Sequence, residues 1–375
     1  MRFDFATASR IVFGSGTLKE VPAAAREMGR RPLLVTRRGA DLNAVGFEGV
    51  PFAVHGEPTV DLVRQGAQLA REDGCDMVIA LGGGSVIDAG KAIAALLANG
   101  GDPLDYLEIV GQGQPLTRPS APFIAIPTTA GTGSEVTRNA VLASPEHRVK
   151  ASLRSPHMLP RLAVVDPELT LDLPRAITAS TGLDALTQLI EPYVSIRANP
   201  MTDLYCLEGI WRAALALRYA WRDGHDIRAR THMSFASLLG GLALANAGLG
   251  AVHGFAAPLG GMFDAPHGAL CAALLPHAMR VNIAALRAAG PQTALDRYYK
   301  VARVLQKRDG VEPEDGADWI ERLCHDLEVQ PLRAYGVSAA DVPALAAKAA
   351  AASSMKSNPI ALTHSQLEEL LTRAL

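Results

Sequence analysis

The order of apolar and polar positions divides the chain in two. In the first half, short apolar runs alternate with helical patterns. RPLLVTRRG (Arg31 to Gly39) reads as a buried strand ending in polar residues. VDLVRQGAQLAREDG (Val60 to Gly74) has apolar residues at helical spacing and stops at Gly74, as a C-cap would. CDMVIALGGG (Cys75 to Gly84) is a second buried strand, and SVIDAGKAIAALLANG after it is a helix. PFIAIPTTAGTGSE (Pro122 to Glu135) gives a third strand and a small-residue loop, and RLAVVDP (Arg161 to Pro167) a fourth strand. Strands that alternate with helices predict a parallel, doubly wound sheet.

From about Ala176 the pattern changes to long Ala/Leu-rich segments. They run over Leu183 to Val194, Met201 to Ala220, Ile227 to Ala247, His267 to Ala288, Ala294 to Gln306 and Ser365 to Leu375. This half is expected to be all-helical, with the boundary near Pro174. The expected organisation is an α/β domain over 1–174 and a helical domain over 175–375. Repeats and low-complexity tracts are absent.

Composition adds exclusions. The chain has 375 residues, 49% of them hydrophobic, enough for two cores. A net charge of -2 with 20% charged residues offers no basic face for nucleic acid. There is no signal-like N-terminus and no run of about 18 uninterrupted apolar residues, so no membrane partner is expected. Cys75, Cys206, Cys271 and Cys324 lie far apart without a CxxC pair. They read as buried free thiols rather than a disulfide framework or thiolate metal site, which fits a reducing cytoplasm.

Two loops carry candidate chemistry. GGGSVIDAGK (Gly82 to Lys91) follows a buried strand and opens a helix. There the glycines let backbone approach a pyrophosphate, and helix N-terminal amides face the anion. The spacing is not GxGxxG, and a tight strand-to-helix turn explains such a loop equally well in isolation. IPTTAGTGSE (Ile126 to Glu135) also follows a strand and offers hydroxyls and amides with little bulk. Two such loops at the carboxyl ends of neighbouring strands describe a nucleotide crevice. In the helical half, TGLDALTQLIEPYVS (Thr181 to Ser195) puts Asp184 and Gln188 on one helix face among apolar neighbours.

Several motifs in order closely resemble the iron-containing (group III) alcohol dehydrogenase family. They are VFGSG (Val12 to Gly16), GGGSVIDAGK, IPTTAGTGSEVT, VDPELT (Val165 to Thr170), TGLDAL (Thr181 to Leu186), NAGLGAVHG (Asn246 to Gly254), PHGALCAALLPHAMRVN (Pro266 to Asn282) and SNP (Ser357 to Pro359). The resemblance spans nearly the whole chain. It implies an N-terminal dinucleotide domain, a C-terminal helical domain and an active site in the cleft between them. The implied reaction is reversible hydride transfer between an alcohol and NAD(P), with a divalent metal, iron or zinc, polarising the substrate oxygen. It also implies cofactor contacts at Gly83, Gly84, Ser85, Asp88, Thr128, Thr129, Thr132 and Lys150.

The chain departs from the family pattern at three places. The usual metal set is an Asp, a His four residues later and two further His. Asp184, His253 and His267 match, but Gln188 stands where the second ligand would be His. Three protein ligands suffice for a catalytic zinc site, and loss of one imidazole biases the site away from tightly held ferrous iron. Gln188 reads equally as ligand, as a donor behind the ligands or as a substrate contact. The second departure is Ala257, where many members carry a proton-relaying His. It implies proton exit by water or the cofactor ribose and a substrate bulkier than ethanol. The third is Arg37, with Arg38 beside it, where NAD-using relatives often place an Asp on the ribose. A guanidinium pairs well with a 2'-phosphate, which favours NADP over NAD. His277 reads as a core histidine.

The leading reading is therefore a metal-dependent NAD(P) alcohol dehydrogenase or carbonyl reductase acting on a small-molecule alcohol, aldehyde or ketone. The alternatives are a metal-independent reductase like maleylacetate reductase, a lyase of the dehydroquinate synthase-like fold, and a non-catalytic nucleotide-binding relative. Maleylacetate reductases carry Asn at the position of Asp184, which ranks that activity lower. The resemblance also implies a homodimer or higher homo-oligomer, with RIVFGSG (Arg10 to Gly16) as an edge strand open to pairing.

Overall fold

A computed structural model describes residues 2–39, 46–147 and 149–375. It contains two compact units. One comprises Phe5–Thr129 and Gly133–Leu171. The other comprises Asp172–Leu375, Ala130–Thr132 and the residues before Phe5.

The first unit is built on β1 (Arg10–Phe13), β2 (Pro32–Arg37), β3 (Val50–Val54), β4 (Met77–Gly82), β5 (Phe123–Pro127), β6 (Asn139–Ser144), β7 (Val149–Arg154) and β8 (Leu162–Val165). Six of these form one sheet in the order β1-β8-β5-β4-β2-β3. All its pairings are parallel, with Leu33 opposite Val78 and Gly82 opposite Pro127. The continuous apolar runs have the predicted cause, since alternate residues of one strand enter cores on opposite faces. Leu33, Val35, Val78, Ala80 and Phe123 lie in one core. Leu34, Ile79, Leu81, Ile124 and Ile126 lie in the other.

Helices α1 (Val21–Met28), α2 (Val60–Glu72), α3 (Gly84–Asn99) and the short α4 (Pro103–Tyr106) belong to this unit. Helix α3 lies close on the sheet because Gly90 has no side chain. A Cβ there would come 2.8 Å from the Ala80 Cβ and 2.9 Å from Phe123. Helix α2 ends at Glu72, and Gly74 takes the left-handed φ of 65° just beyond its cap.

Three strands were not visible in the pattern. β3 alternates exposed and covered residues and contains Pro51, as an edge strand can. β6 and β7 form a separate antiparallel hairpin. β6 alternates buried with half-buried residues, and β7 carries Lys150, Ser152 and Arg154 alternating with its buried ones, so neither is covered on both faces.

The second unit contains α5 (Arg175–Val194), α6 (Pro200–Arg222), α7 (Ile227–Ala247), α8 (Ala251–Met262), α9 (His267–Ala289), α10 (Gln292–Gln306), α11 (Pro313–Asp326), α12 (Val342–Ala351) and α13 (His364–Arg373). Helix α5 packs against α6, α7 and α9 and is buried on all sides from Gly182 to Val194. It starts at Arg175, ahead of the expected Leu183. Its first turns carry hydroxyls that hide the pattern. Ser180 Oγ and Thr181 Oγ1 donate back to the Ile177 carbonyl at 3.2 and 2.7 Å. Helix α9 is long and apolar enough to cross a membrane, but 83% of its most apolar stretch is buried here, as a central core helix requires. Helices α7 and α8 meet at 98°, with Gly248 at φ 74° in the break. That bend sets the start of α8, where the site is built.

Candidate functional site

Helices α5, α8 and α9 bring four donor groups together. Asp184 sits midway along α5 and is 2% exposed, and His253 lies in the first turn of α8. His267 is the first residue of α9, and Cys271 follows one turn later, fully buried. Asp184 Oδ1 is 3.5 Å from His253 Nε2 and 3.9 Å from His267 Nε2. Cys271 Sγ is 3.8 Å from His253 Nε2 and 3.6 Å from His267 Nε2. One ligand atom from each residue lies within 4.8 Å of all the others.

The orientation of His253 is fixed from α5. Asp184, Gln188 and Glu191 follow the i, i+4, i+7 spacing of a single stripe. Glu191 Oε1 accepts from the Val252 amide at 2.7 Å, and Oε2 lies 2.6 Å from His253 Nδ1. A carboxylate there places the ring proton on Nδ1 and turns Nε2 toward the cluster. Asn358 completes the cap of α8, its Oδ1 accepting from the Ala251 amide at 3.1 Å. Its Nδ2 donates to Asn282 Oδ1 at 2.7 Å and to the Ile360 carbonyl at 2.8 Å. Two side chains thus serve amides that a helix start leaves unpaired. A Cβ at Gly250 would stand 2.9 Å from both Asn358 Oδ1 and Glu191 Oε1, so only glycine admits both.

The electrostatics call for a cation. Asp184 Oδ1 and Gln188 Oε1 are buried with no hydrogen-bond partner among the described residues. Such atoms cost free energy unless a positive charge or donor faces them. Burial alone would raise the Asp184 carboxyl, but His253, His267 and the Gln188 amide outweigh it and hold it below its ordinary value. Burial would depress His253, and Cys271, Asp184 and Glu191 more than offset this. The neighbouring Cys271 pushes His267 up to about 9. The His267 side chain is 35% exposed, so solvent screens part of that field and marks the open side of the cluster. A carboxylate, two imidazoles and a thiol with converging donor atoms fit a divalent transition metal.

The sheet unit supplies the glycine loop. Chain order reverses between β2 and β4, because β3 lies beyond β2 while β4, β5 and β8 extend the other way. Ligands of such sheets bind at the carboxyl ends of the strands beside that switch. Arg37 is exposed at the carboxyl end of β2. Gly83 caps α3 after β4, placing Gly84 and Ser85 in its first turn. Thr128 and Thr129 follow β5, and the Thr128 amide donates to the Gly82 carbonyl at 2.9 Å.

Of the other expected cofactor contacts, Asp88 and Lys150 have side-chain partners and Thr132 lies in the helical unit. The Asp88 carboxylate accepts from Ser134 Oγ at 2.5 Å and the Val141 amide at 2.9 Å, and pairs with Lys91 at 3.2 Å. It ties α3 to the second loop. Lys150 pairs with Glu57 at 3.1 Å. Thr132 falls in the Ala130–Thr132 segment of the helical unit. There a Cβ on Gly131 would come 2.7 Å from the Thr181 Cβ of α5. His277 lies outside the donor cluster, and burial lowers it.

Sequence reasoning missed Cys271, Glu191 and Asn358. Its spacing from the other cysteines marks Cys271 only as a buried free thiol. Its signal was the four-residue step from His267, the spacing of helical neighbours. Glu191 was legible as the next position of the Asp184 stripe. Asn358 belongs to the SNP motif, whose role needed the fold.

One unit is a parallel sheet with a glycine-opened helix at its switch point, the other a helical unit with converging metal donors, and the two features together are those of a dinucleotide-linked oxidoreductase. The chain matches the iron-containing alcohol dehydrogenase family model over residues 8–167, and the C-terminal model of the Fe-containing alcohol dehydrogenase family over residues 178–375. It belongs to the iron-containing alcohol dehydrogenase family. It is 36% identical to a 1,3-propanediol dehydrogenase of Citrobacter freundii, over 99% of this chain and 98% of that protein. It is 39% identical to a 4-hydroxybutyrate dehydrogenase of Cupriavidus necator, over 80% of this chain and 79% of that protein. Its fold matches the crystal structure of a 1,3-propanediol oxidoreductase with a TM-score of 0.92 at 34% identity, covering all of both chains. The activity class is that of an alcohol dehydrogenase, with alcohols and aldehydes as the substrate class.

Proposed function

We propose that this chain interconverts a primary or secondary alcohol with its aldehyde or ketone, using NADP in preference to NAD, at a metal held by Asp184, His253 and His267. The donor cluster of α5, α8 and α9 carries this reading. Residues 1–174 hold the cofactor, and 175–375 hold the metal and substrate. A divalent ion in the cluster supplies Lewis acidity toward the substrate oxygen. In oxidation the carbinol C–H hydride passes to the nicotinamide, and the hydroxyl proton leaves through water or the cofactor ribose. Asp184 supplies negative charge to the ion, and Glu191 keeps His253 Nε2 aimed at it. Gln188 Oε1 is the remaining unpaired oxygen on the same helix face.

Gly83, Gly84 and Ser85 cradle the pyrophosphate at the start of α3, with Thr128 and Thr129 alongside. Arg37 meets the ribose 2'-phosphate. Asp88 and Lys150 shape the loops from behind. Ala257, exposed one turn beyond His253, leaves room for a substrate larger than ethanol. The names of the relatives suggest the class, primary alcohols of three or four carbons with a second oxygen function. β1 is an outer strand of the sheet and offers a route to a homodimer.

Metal analysis of the purified chain, followed by alcohols and aldehydes with both cofactors, tests the proposal. The expected result is about one divalent ion per chain and metal-dependent turnover. Diols and hydroxy acids should turn over faster than ethanol. Binding of NADP with no metal and no oxidation of any alcohol would favour a nucleotide-binding relative instead. Equal efficiency with ethanol would overturn the substrate assignment.

A further inference from the structure

We infer that Cys271, as a thiolate, is the fourth protein donor of the metal site and replaces the histidine that Gln188 displaces. The inference rests on the reading of the cluster as a metal site.

The first support is distance. Tetrahedral bonds of about 2.0–2.3 Å place neighbouring donors about 3.3–3.6 Å apart. The sulfur stands 3.8 Å from His253 Nε2 and 3.6 Å from His267 Nε2. The carboxylate oxygen stands 3.5 and 3.9 Å from the same two nitrogens. These four separations are close to the edges of one coordination tetrahedron.

The second is helical register. The usual pattern takes two ligands from one helix at i and i+4, on the face that holds Asp184 and Gln188. In this chain α9 supplies that spacing instead, with His267 and Cys271. The donor lost from α5 is regained on α9, and the count stays at four.

The third is charge. One carboxylate and three neutral donors would leave one net positive charge among the donors themselves, balanced only from behind His253 by the Glu191 carboxylate. Asp184 is 2% exposed, His253 is 6% exposed and Cys271 is fully buried, so that charge would be poorly solvated. Exchanging a neutral donor for a thiolate makes the ion and its direct donors neutral. As the sulfur–metal bond forms, the thiol proton passes to solvent. A thiolate is also a soft donor, which selects zinc or cobalt over ferrous iron. The neutral Gln188 amide is a weaker candidate for the fourth place.

Reconstitution of the full-length protein with cobalt(II) tests the assignment. Tetrahedral cobalt gives visible d–d bands whatever its ligands, and a bound thiolate adds an intense near-ultraviolet charge-transfer band. The wild type should show both. Cys271→Ser should lose the charge-transfer band and keep d–d bands at higher cobalt concentration. Cys75, Cys206 and Cys324 are untouched in that variant, so the loss is specific. Affinity should fall about 100-fold, at or beyond the range for losing a partner of a ligand. Competition in the wild type should favour zinc over ferrous iron.

Visible bands without charge transfer in the wild type would overturn the Cys271 assignment and leave the metal reading intact. A charge-transfer band that survives in Cys271→Ser would overturn it too. No cobalt binding would overturn the metal reading with it. If the variant fails to fold, the wild-type spectrum still decides whether a thiolate is bound, and Cys271→Ala read the same way decides whether it is Cys271.

Discussion

Glu191 Oε2 lies 2.6 Å from His253 Nδ1 while its other oxygen caps the first turn of α8. One carboxylate therefore fixes both the ring and the helix that carries it. Glu191→Gln keeps an oxygen for the Val252 amide but removes the charge facing Nδ1. Metal affinity should fall about 10- to 100-fold, as for other partners of metal-bound histidines. Chelator competition would measure it. Thermal unfolding of the metal-free protein should change far less than in Glu191→Ala, which loses the cap as well. Unchanged affinity in Glu191→Gln would show that the carboxylate serves α8 alone.

Arg37 ends β2 beside the switch point of the sheet. Loss of a charge-assisted contact to a 2'-phosphate costs about 1.5–3 kcal/mol, or roughly 10- to 100-fold in kcat/KM. Arg37→Ala should therefore lower kcat/KM for NADP by that factor and leave NAD within about twofold. Kinetics with both cofactors would check this. A wild type that prefers NAD, or an equal loss with both cofactors, would reverse the assignment.

Glu135 is buried in the sheet unit, and burial lifts its carboxyl to about 7, with its own backbone amide and Lys91 offsetting only part of the rise. The fold then holds a proton that the unfolded chain releases from about pH 4.5 upward. Stability from this group is present below that pH and is lost as pH rises through 7. The full effect is at most about 3 kcal/mol. Glu135→Gln removes the titration. Urea unfolding at pH 5 and pH 8 should show wild-type stability falling across the interval more steeply than that of the variant. Parallel pH profiles would mean that Glu135 stays ionised beside Lys91.

What the sequence revealed follows from which physical signals are local. Strands β2, β4, β5 and β8 are covered on both faces, and their continuous apolar runs announced a parallel sheet. β3, β6 and β7 are less covered at alternate residues, so their signal was diluted. His253 and His267 were recognisable through motifs at helix starts, and Asp184 through the TGLDAL motif in the middle of α5. Cys271 was not, since a lone cysteine in an apolar helix usually reports packing. The roles of Asp88 and Lys150 depended on partners far along the chain. Ser134 is 46 residues from Asp88, and no spacing rule links them.

Gln188 and Cys271 can be tested together. Gln188→His alone should slow metal loss to a chelator if position 188 reaches the ion, and no change would place that side chain outside the site. Cys271→Ser alone should weaken binding. In the double variant the restored Asp/His/His/His set should recover most of the lost affinity. The cost of Cys271→Ser should then fall from about 100-fold to about tenfold or less. Iron should also compete better with zinc, because the soft donor is gone. Such coupling requires the two side chains to act on one ion. Additive effects of the two substitutions would show that 188 and 271 are not alternative sources of one ligand.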